Sequence, residues 1–207
     1  MARGRFITLE GGEGVGKSTQ VQRLAEALRA RGLSVVTTRE PGGSEGAEAI
    51  RALLLNGDPG RWSPRAEALL FAAARADHVE KTILPALQEG SWVLCDRYFD
   101  SSAAYQGQGS GVTEDELGTL HHIGAGLMPD RTLVLSLRIS DASSREFVRD
   151  GGQLDRFGSR DSAFHERVHG YFEALAERAP DRVRKVAADG TQAEVTERLL
   201  GALADYL

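Results

Sequence analysis

The sequence has one cysteine in 207 residues, Cys95, so no internal disulfide can form and no zinc site of thiolates can be built. Its setting, Ser91-Trp92-Val93-Leu94-Cys95, is an apolar strand-like run, which makes it a small core residue rather than a redox centre. Lysine is almost as scarce: Lys17, Lys81 and Lys185 are the only three among 25 basic residues, and arginine fills every other cationic position. A lysine kept at position 17 is therefore informative. No apolar run approaches the roughly 18 residues that a membrane span needs. Met1-Ala2-Arg3-Gly4-Arg5 leads straight into a strand-like segment without the pattern of a secretory signal, so the expectation is a cytoplasmic protein with no membrane partner. A basic excess is missing too. The net charge of -5 argues against a nucleic-acid partner, whereas a protein handling small anions needs positive charge only locally. There is no repeat, low-complexity tract or linker, and the length suits one domain over residues 1–207 with a proper core.

What is present alternates strand and helix from end to end. Phe6-Ile7-Thr8-Leu9, Val35-Val36-Thr37-Thr38, Trp92-Val93-Leu94-Cys95 and Leu133-Val134-Leu135-Ser136-Leu137 are short and apolar or β-branched, which suits buried strands, and a last strand is expected near Val183 to Ala187. Val21, Leu24, Ala25 and Leu28 recur at helical spacing, and Arg31-Gly32 supplies a stop. Helices are expected around Glu48 to Leu55 and over Arg65 to Leu87, the latter perturbed by Pro85. Thr113 with Glu116 predicts a capping box opening a helix through Leu117, Leu120 and Ile123. Further helices are expected from about Asp161 to Arg178 and through Val195, Leu199 and Leu200. Such alternation predicts an α/β fold with a mostly parallel five-stranded sheet, helices on both faces and ligands at the carboxyl ends of the strands. Motifs follow Leu9, Thr38 and Cys95, so three of them converge there.

The first of these, Gly11-Gly12-Glu13-Gly14-Val15-Gly16-Lys17-Ser18, has P-loop spacing with a strand before it and a helix after it, which makes the fold P-loop NTPase-type. Its glycines let successive N–H groups turn toward phosphate oxygens, and the helix N-terminus adds partial positive charge. Gly11 through Thr19 are expected to hold a nucleoside triphosphate, with Lys17 reaching the β- and γ-phosphates and Ser18 ligating magnesium. No Asn-Lys-x-Asp or Thr-Lys-x-Asp motif follows, which weighs against a GTPase-like switch.

Thr38-Arg39-Glu40-Pro41-Gly42-Gly43, Phe71-Ala72-Ala73-Ala74-Arg75-Ala76-Asp77-His78 and Asp96-Arg97-Tyr98-Phe99-Asp100-Ser101-Ser102-Ala103-Ala104-Tyr105-Gln106-Gly107 come next in order. With the P-loop in front, the chain resembles the bacterial thymidylate kinase family from Phe6 to about Val168, and less distinctly beyond. The resemblance implies transfer of the γ-phosphoryl group of ATP to dTMP, giving dTDP for dTTP biosynthesis, with Mg2+ as the cofactor. It also implies a homodimer paired through helices near Glu67 to Leu87 and Ala103 to Ile123. The chemistry agrees, because two mutually repelling anions must be neutralised and held in line, and arginine forks grip phosphate oxygens in pairs. Arg39 and Arg97 stand at strand ends for that purpose, although a residue such as Arg39 suits a surface ion pair equally well.

The family pattern further implies that Phe71 stacks on thymine and that Arg75, four residues on and on the same helix face, bonds its O4. Ser102 and Gln106 would contact the acceptor, and Tyr105 would crowd the sugar's 2′ position. Asp96 would organise magnesium with Ser18, or else orient Arg97 or Lys17. Glu13 stands where relatives often carry Asp near the acceptor sugar or metal. The polar segment 145–160 reads as a short lid that excludes water. No arginine or second lysine lies between Gly11 and Gly16, so the lid is expected to supply the missing cation. Arg149 and Arg156 are the first candidates, with Arg145 behind them. The expected catalytic set is thus Lys17, Arg97, Arg149, Arg156 and Glu13. Gly158 replaces a Glu common among bacterial relatives. The alternatives are a deoxynucleoside kinase, another nucleoside monophosphate kinase, or a nucleotide-binding module without catalysis.

Overall fold

The computed structural model describes residues 3–58, 60–107, 111–137, 157–158 and 160–207. Strands β1 (Phe6–Glu10), β2 (Val35–Arg39), β3 (Trp92–Asp96), β4 (Arg131–Ser136) and β5 (Val183–Ala187) form one sheet in the order β2-β3-β1-β4-β5. Every pairing is parallel, and Leu9 of β1 lies between Asp96 and Leu133. The helices among the described residues are α1 (Lys17–Arg29), α2 (Glu45–Leu55), α3 (Pro64–His78), α4 (Leu84–Gln88), α5 (Phe99–Gly107), α6 (Glu114–Gly124), α7 (Ser162–Arg178) and α8 (Gln192–Gly201). None of them is long and apolar enough to cross a membrane.

Alternate strand residues point to opposite faces, so each face buries its own set. Ile7, Leu9, Leu94, Leu133 and Leu135 pack with Val21, Leu24 and Leu28 of α1 and with Val195 and Leu199 of α8. On the other face Phe6, Val93 and Cys95 meet Val79, Ile83 and Leu87, while Val134 and Val183 meet Ala104, Phe164, Val168 and Phe172. Each fully buried leucine here contributes roughly 1.5–3 kcal/mol. The expected core role of Cys95 agrees with its complete burial.

Two local differences from the sequence expectation have physical causes. The helix expected over 65–87 is not continuous: a π-helical turn spans Val79–Ile83 and α4 starts at Leu84. Pro85 has no N–H to offer the carbonyl one turn back, so the turn widens and the Leu84 N–H reaches the Val79 carbonyl instead. The second is α5, which the sequence marks as a motif without an apolar stripe. Asp100 through Gln106 are all buried there, so no contrast between wet and dry faces exists to be read. The capping box at α6 is formed as expected: Thr113 Oγ1 accepts from the Glu116 N–H at 3.2 Å, and Glu116 Oε2 accepts from the Thr113 N–H at 2.8 Å.

The order β2-β3-β1-β4-β5 places the chain reversal at β1, since the crossover to β2 runs one way across the sheet and β4 lies on the other side. A crevice opens at such a switch point, beyond the carboxyl ends of the strands. Glu10, Arg39 and Asp96 end β1, β2 and β3 at that edge.

Candidate active site

The loop after β1 turns through glycines held at positive φ: Gly11 at 131°, Gly14 at 69° and Gly16 at 95°. At Gly11 a Cβ atom would lie 2.5 Å from the Leu135 carbonyl oxygen, so the loop cannot carry a side chain there. Gly16 caps α1 without any side-chain hydrogen bond, which leaves the first-turn N–H groups to an anion. Lys17 is buried, and its Nζ donates to the carbonyls of Gly11 at 3.1 Å and Gly12 at 2.6 Å. Burial and the neighbouring Arg97 charge press the Lys17 amine down to about 8, against the pull of Glu13, Asp96 and Glu10. An arriving phosphate would restore its preference for the charged form.

Ser18 Oγ donates to Asp96 Oδ2 at 2.5 Å. The structure thus brings together the two residues expected at a metal, and the Asp96 charge also acts on both Lys17 and Arg97. Two hard oxygens suit a Mg2+ ion that keeps its remaining positions for phosphate and water. No group of three or more acidic, His or Cys side chains forms a protein cage for a metal among the described residues.

Arg97 is the only non-glycine residue with positive φ among the described residues, at 69°. Such a conformation costs about 1–3 kcal/mol and persists only where the surroundings hold it. Here the Arg97 N–H donates to the Leu9 carbonyl at 3.0 Å, Cys95 Sγ donates to the Arg97 carbonyl at 3.0 Å, and the next N–H, of Tyr98, donates to Glu10 Oε1 at 2.7 Å. The guanidinium is then aimed across the loop. It bonds Glu13 Oε1 at 2.6 Å, the Gly11 carbonyl at 3.2 Å and Ser101 Oγ at 3.1 Å, and it lies 5.0 Å from the Tyr105 ring centre. Tyr105 donates its hydroxyl to the same Glu13 oxygen at 3.1 Å. Burial alone would raise the Glu13 carboxyl, but Arg97, Lys17 and the hydrogen bonds from Arg97 and Tyr105 outweigh it and bring Glu13 down to about 2.

Glu10, beneath this group, goes the other way. It is completely buried and accepts Ser101 Oγ at 2.6 Å, and burial first, then the nearby Asp100 charge, raise it to about 7. Its folded state holds a proton more tightly than its unfolded state. The stability it contributes is fully present below about pH 4.5 and is lost as pH rises through about 7. Glu10→Gln should therefore be more stable than the wild type by roughly 2–3 kcal/mol near pH 8.5 and close to it near pH 4.5. Urea midpoints at the two pH values check this, and a difference that stays flat with pH would overturn it.

The acceptor side faces the loop across one cavity of ≈ 370 Å3, lined from both sides. Phe71 and Phe157 meet edge to face at 5.7 Å, and Phe157 also lies 6.3 Å from Tyr105. Arg75 is 3% exposed, donates Nε–H to Glu40 Oε2 at 2.7 Å and Nη2–H to Ser102 Oγ at 2.8 Å, and rests 5.1 Å from the Tyr98 ring centre. Gln106 lines the cavity while its Nε2 donates to Glu67 Oε1 at 3.0 Å. Arg39 lines the rim, but its side chain is 51% exposed and lies against Glu48, with both carboxylate oxygens at 3.0 Å. It therefore meets both readings, cavity wall and surface ion pair.

Arg51 of α2 also reaches the cavity and donates Nη1–H to the Pro41 carbonyl at 2.7 Å. Sequence reasoning passed over Arg51, Glu40, His78 and Phe157. For Arg51 the available signal was a charged residue on a helix leading away from the Arg39 loop; for Phe157 it was an aromatic residue inside an otherwise polar segment. Arg145, Arg149 and Arg156 lie outside the described residues. A second hollow of ≈ 410 Å3 lies behind the phosphate loop, between Gly14–Thr19 and the segment Ala188 to Val195.

The comparisons with known proteins point one way. The thymidylate kinase family model matches residues 9–199. A thymidylate kinase of Rhizorhabdus wittichii is 60% identical over 205 residues, covering 99% of each chain, and one of Caulobacter vibrioides is 48% identical over 95% of this chain and 94% of its own. The crystal structure of thymidylate kinase from Ehrlichia chaffeensis, 30% identical, superposes with a TM-score of 0.77 over 98% of this chain and 99% of that one. By loop, crevice and whole-length similarity alike, this chain belongs to the thymidylate kinase family.

Proposed function

We propose that this chain transfers the γ-phosphoryl group of ATP to dTMP, giving dTDP on the route to dTTP. The observation that carries this reading is a single cavity with a phosphate loop on one wall and a buried Arg75–Ser102 donor pair beside Phe71 on the other. Guanidinium and hydroxyl donors suit a base edge with carbonyls and disfavour the amino group of cytosine. Arg39, Arg51 and Arg97 converge between the walls, where an acceptor phosphate needs charge. A deoxynucleoside acceptor, bearing only a 5′-hydroxyl, would leave that charge without a partner. The deciding assay supplies purified protein with ATP, magnesium and a panel of nucleoside monophosphates together with thymidine. Robust phosphorylation of dCMP, UMP, AMP or thymidine with no dTDP formed from dTMP would sink the proposal.

In this reading an oxygen of the dTMP phosphate attacks the γ-phosphorus of ATP and the bond to the β–γ bridging oxygen breaks, with ADP as the leaving group. Gly11 through Thr19 cradle the donor phosphates, and Lys17 bears on the oxygens where charge shifts. Arg97, held by its hydrogen bonds to Glu13 and the Gly11 carbonyl, orients the acceptor phosphate, and Tyr105 stands against the sugar. Ser18 and Asp96 would hold Mg2+, which supplies charge neutralisation at the donor phosphates. The segment 145–160, with Arg149 and Arg156, is assigned as the lid that completes the positive charge. The hollow between Gly14–Thr19 and Ala188–Val195 accommodates the donor's base and ribose.

The whole chain acts as one nucleoside monophosphate kinase domain in the cytoplasm. It pairs as a homodimer through α3 and α6, where Leu69 is 55% exposed and Ile123 76% exposed, a face that water disfavours. Light scattering of the purified protein gives the mass directly, and a monomer at micromolar concentration would remove the dimer from the proposal.

A further inference from the structure

Arg75 does not hold itself in place. Its Nε–H is fixed on Glu40 Oε2, and the other oxygen of that carboxylate is 3.1 Å from His78 Nδ1. His78 is completely buried, and its Nε2 lies 2.7 Å from Thr38 Oγ1. A carboxylate paired with arginine can only accept, so Nδ1 must carry the hydrogen it gives to Glu40. In the neutral ring Nε2 then accepts the Thr38 hydroxyl. Donors point toward Glu40 from both sides: Thr38 to His78 to Glu40, and Arg75 to Glu40. The chain of contacts continues outward, because Ser102 Oγ accepts from Arg75 and so keeps its own hydrogen for something in the cavity.

The outer end is closed by backbone. A Cβ at Gly43 would lie 2.3 Å from His78 Nε2 and 2.4 Å from Thr38 Oγ1, and Gly43 itself sits at φ +88°. The ring therefore has one position. A carboxylate with two fixed contacts cannot swing, and a guanidinium bonded to it through Nε presents the same nitrogens to the cavity each time.

We propose that His78 is a positioning residue for acceptor-base discrimination, acting through Glu40 to set the edge that Arg75 and Ser102 present to the base. His78 does not line the cavity; its effect would reach the base through two intervening side chains, Glu40 and Arg75. The proposal rests on the dTMP reading above. It adds a residue that no part of that reading uses.

The test compares two substitutions that differ in which bond survives. His78→Gln keeps an amide near the old Nε2, within reach of Thr38, but vacates Nδ1. His78→Asn carries its amide on Cγ, where Nδ1 stood, and keeps a donor toward Glu40. For His78→Gln the expected result is a KM for dTMP raised about tenfold with kcat and the KM for ATP within about twofold, and kcat/KM for dTMP over dCMP lowered about tenfold. His78→Asn should hold that ratio within about threefold of the wild type. A His78→Gln enzyme that loses activity on both monophosphates equally, or loses none, would show His78 to be packing only and overturn the proposal.

If circular dichroism shows His78→Gln unfolded, Thr38→Val removes the outermost bond alone. The dTMP over dCMP ratio should then fall about threefold, and an unchanged ratio overturns the proposal as well. A wild type that prefers another monophosphate would defeat the dTMP reading instead. The His78 assignment is then judged by whether His78→Gln lowers the ratio of the preferred monophosphate to the next best.

Discussion

Lys17→Ala should reduce kcat by roughly 10²–10³-fold or more at saturating ATP and dTMP, the loss expected when one preorganised charge is removed from a transition state. Lys17 is the only cation between Gly11 and Ser18, and its Nζ lies within the loop, on the carbonyls that frame the phosphate site. In the proposed reaction the oxygens where charge shifts would lie before it. Lys17→Arg should not restore the rate. A planar guanidinium is larger than an ammonium and cannot share the Gly11 and Gly12 carbonyls in the space that a 6%-exposed residue occupies. In a chain that uses arginine for 22 of its 25 basic residues, a lysine here reflects that steric demand. Steady-state kinetics, paired with ATP binding measured by calorimetry, separates chemistry from affinity. Full activity in Lys17→Arg would contradict this account.

Arg75→Leu is the second large expectation, and it touches stability and specificity together. The buried guanidinium compensates Glu40, itself 6% exposed, and removing it leaves a buried carboxylate with His78 as its remaining close polar partner. Breaking a buried pair from one side costs about 3–5 kcal/mol. At roughly 2–4 °C per kcal/mol for a chain of this size, the thermal midpoint should fall by about 10 °C. The KM for dTMP should rise by about 10²-fold, since both the Arg75 donor and the placing of Ser102 are lost. Arg75→Lys should rescue neither effect, because a single ammonium cannot bridge Glu40 and Ser102, whose contacts run from different nitrogens of one fork. Thermal melts and KM values for both variants check the pair of claims, and a stable Arg75→Lys enzyme with normal KM would refute them.

The five strands and most helices were legible because their cause is local. A β-branched or apolar run of four or five residues buried on both faces reads the same in sequence and in space, as Phe6-Ile7-Thr8-Leu9 does. The interrupted helix at Val79–Ile83 was half legible: Pro85 announces a disturbance, but whether a helix kinks, ends or widens depends on what packs around it. Helix α5 was not legible as an element, since complete burial of Asp100 through Gln106 erases the periodic contrast.

The same division runs through the site. The phosphate loop was determined by sequence alone. Its chemistry lies in eight consecutive residues, and the positive φ angles of Gly11, Gly14 and Gly16 are what glycine uniquely permits. The sequence also marked Arg39, Phe71, Arg75, Arg97 and Tyr105 as a set. Only the tertiary structure decided what each arginine faces: Glu48 for Arg39, Glu40 for Arg75 and Glu13 for Arg97, the last two separated by 35 and 84 residues. An arginine's charge is written in its letter, but its direction is set by the acceptors that folding brings beside it. That is why the loop could be read from the chain, while the relay from His78 to Arg75 appeared only when β2 and α3 came together.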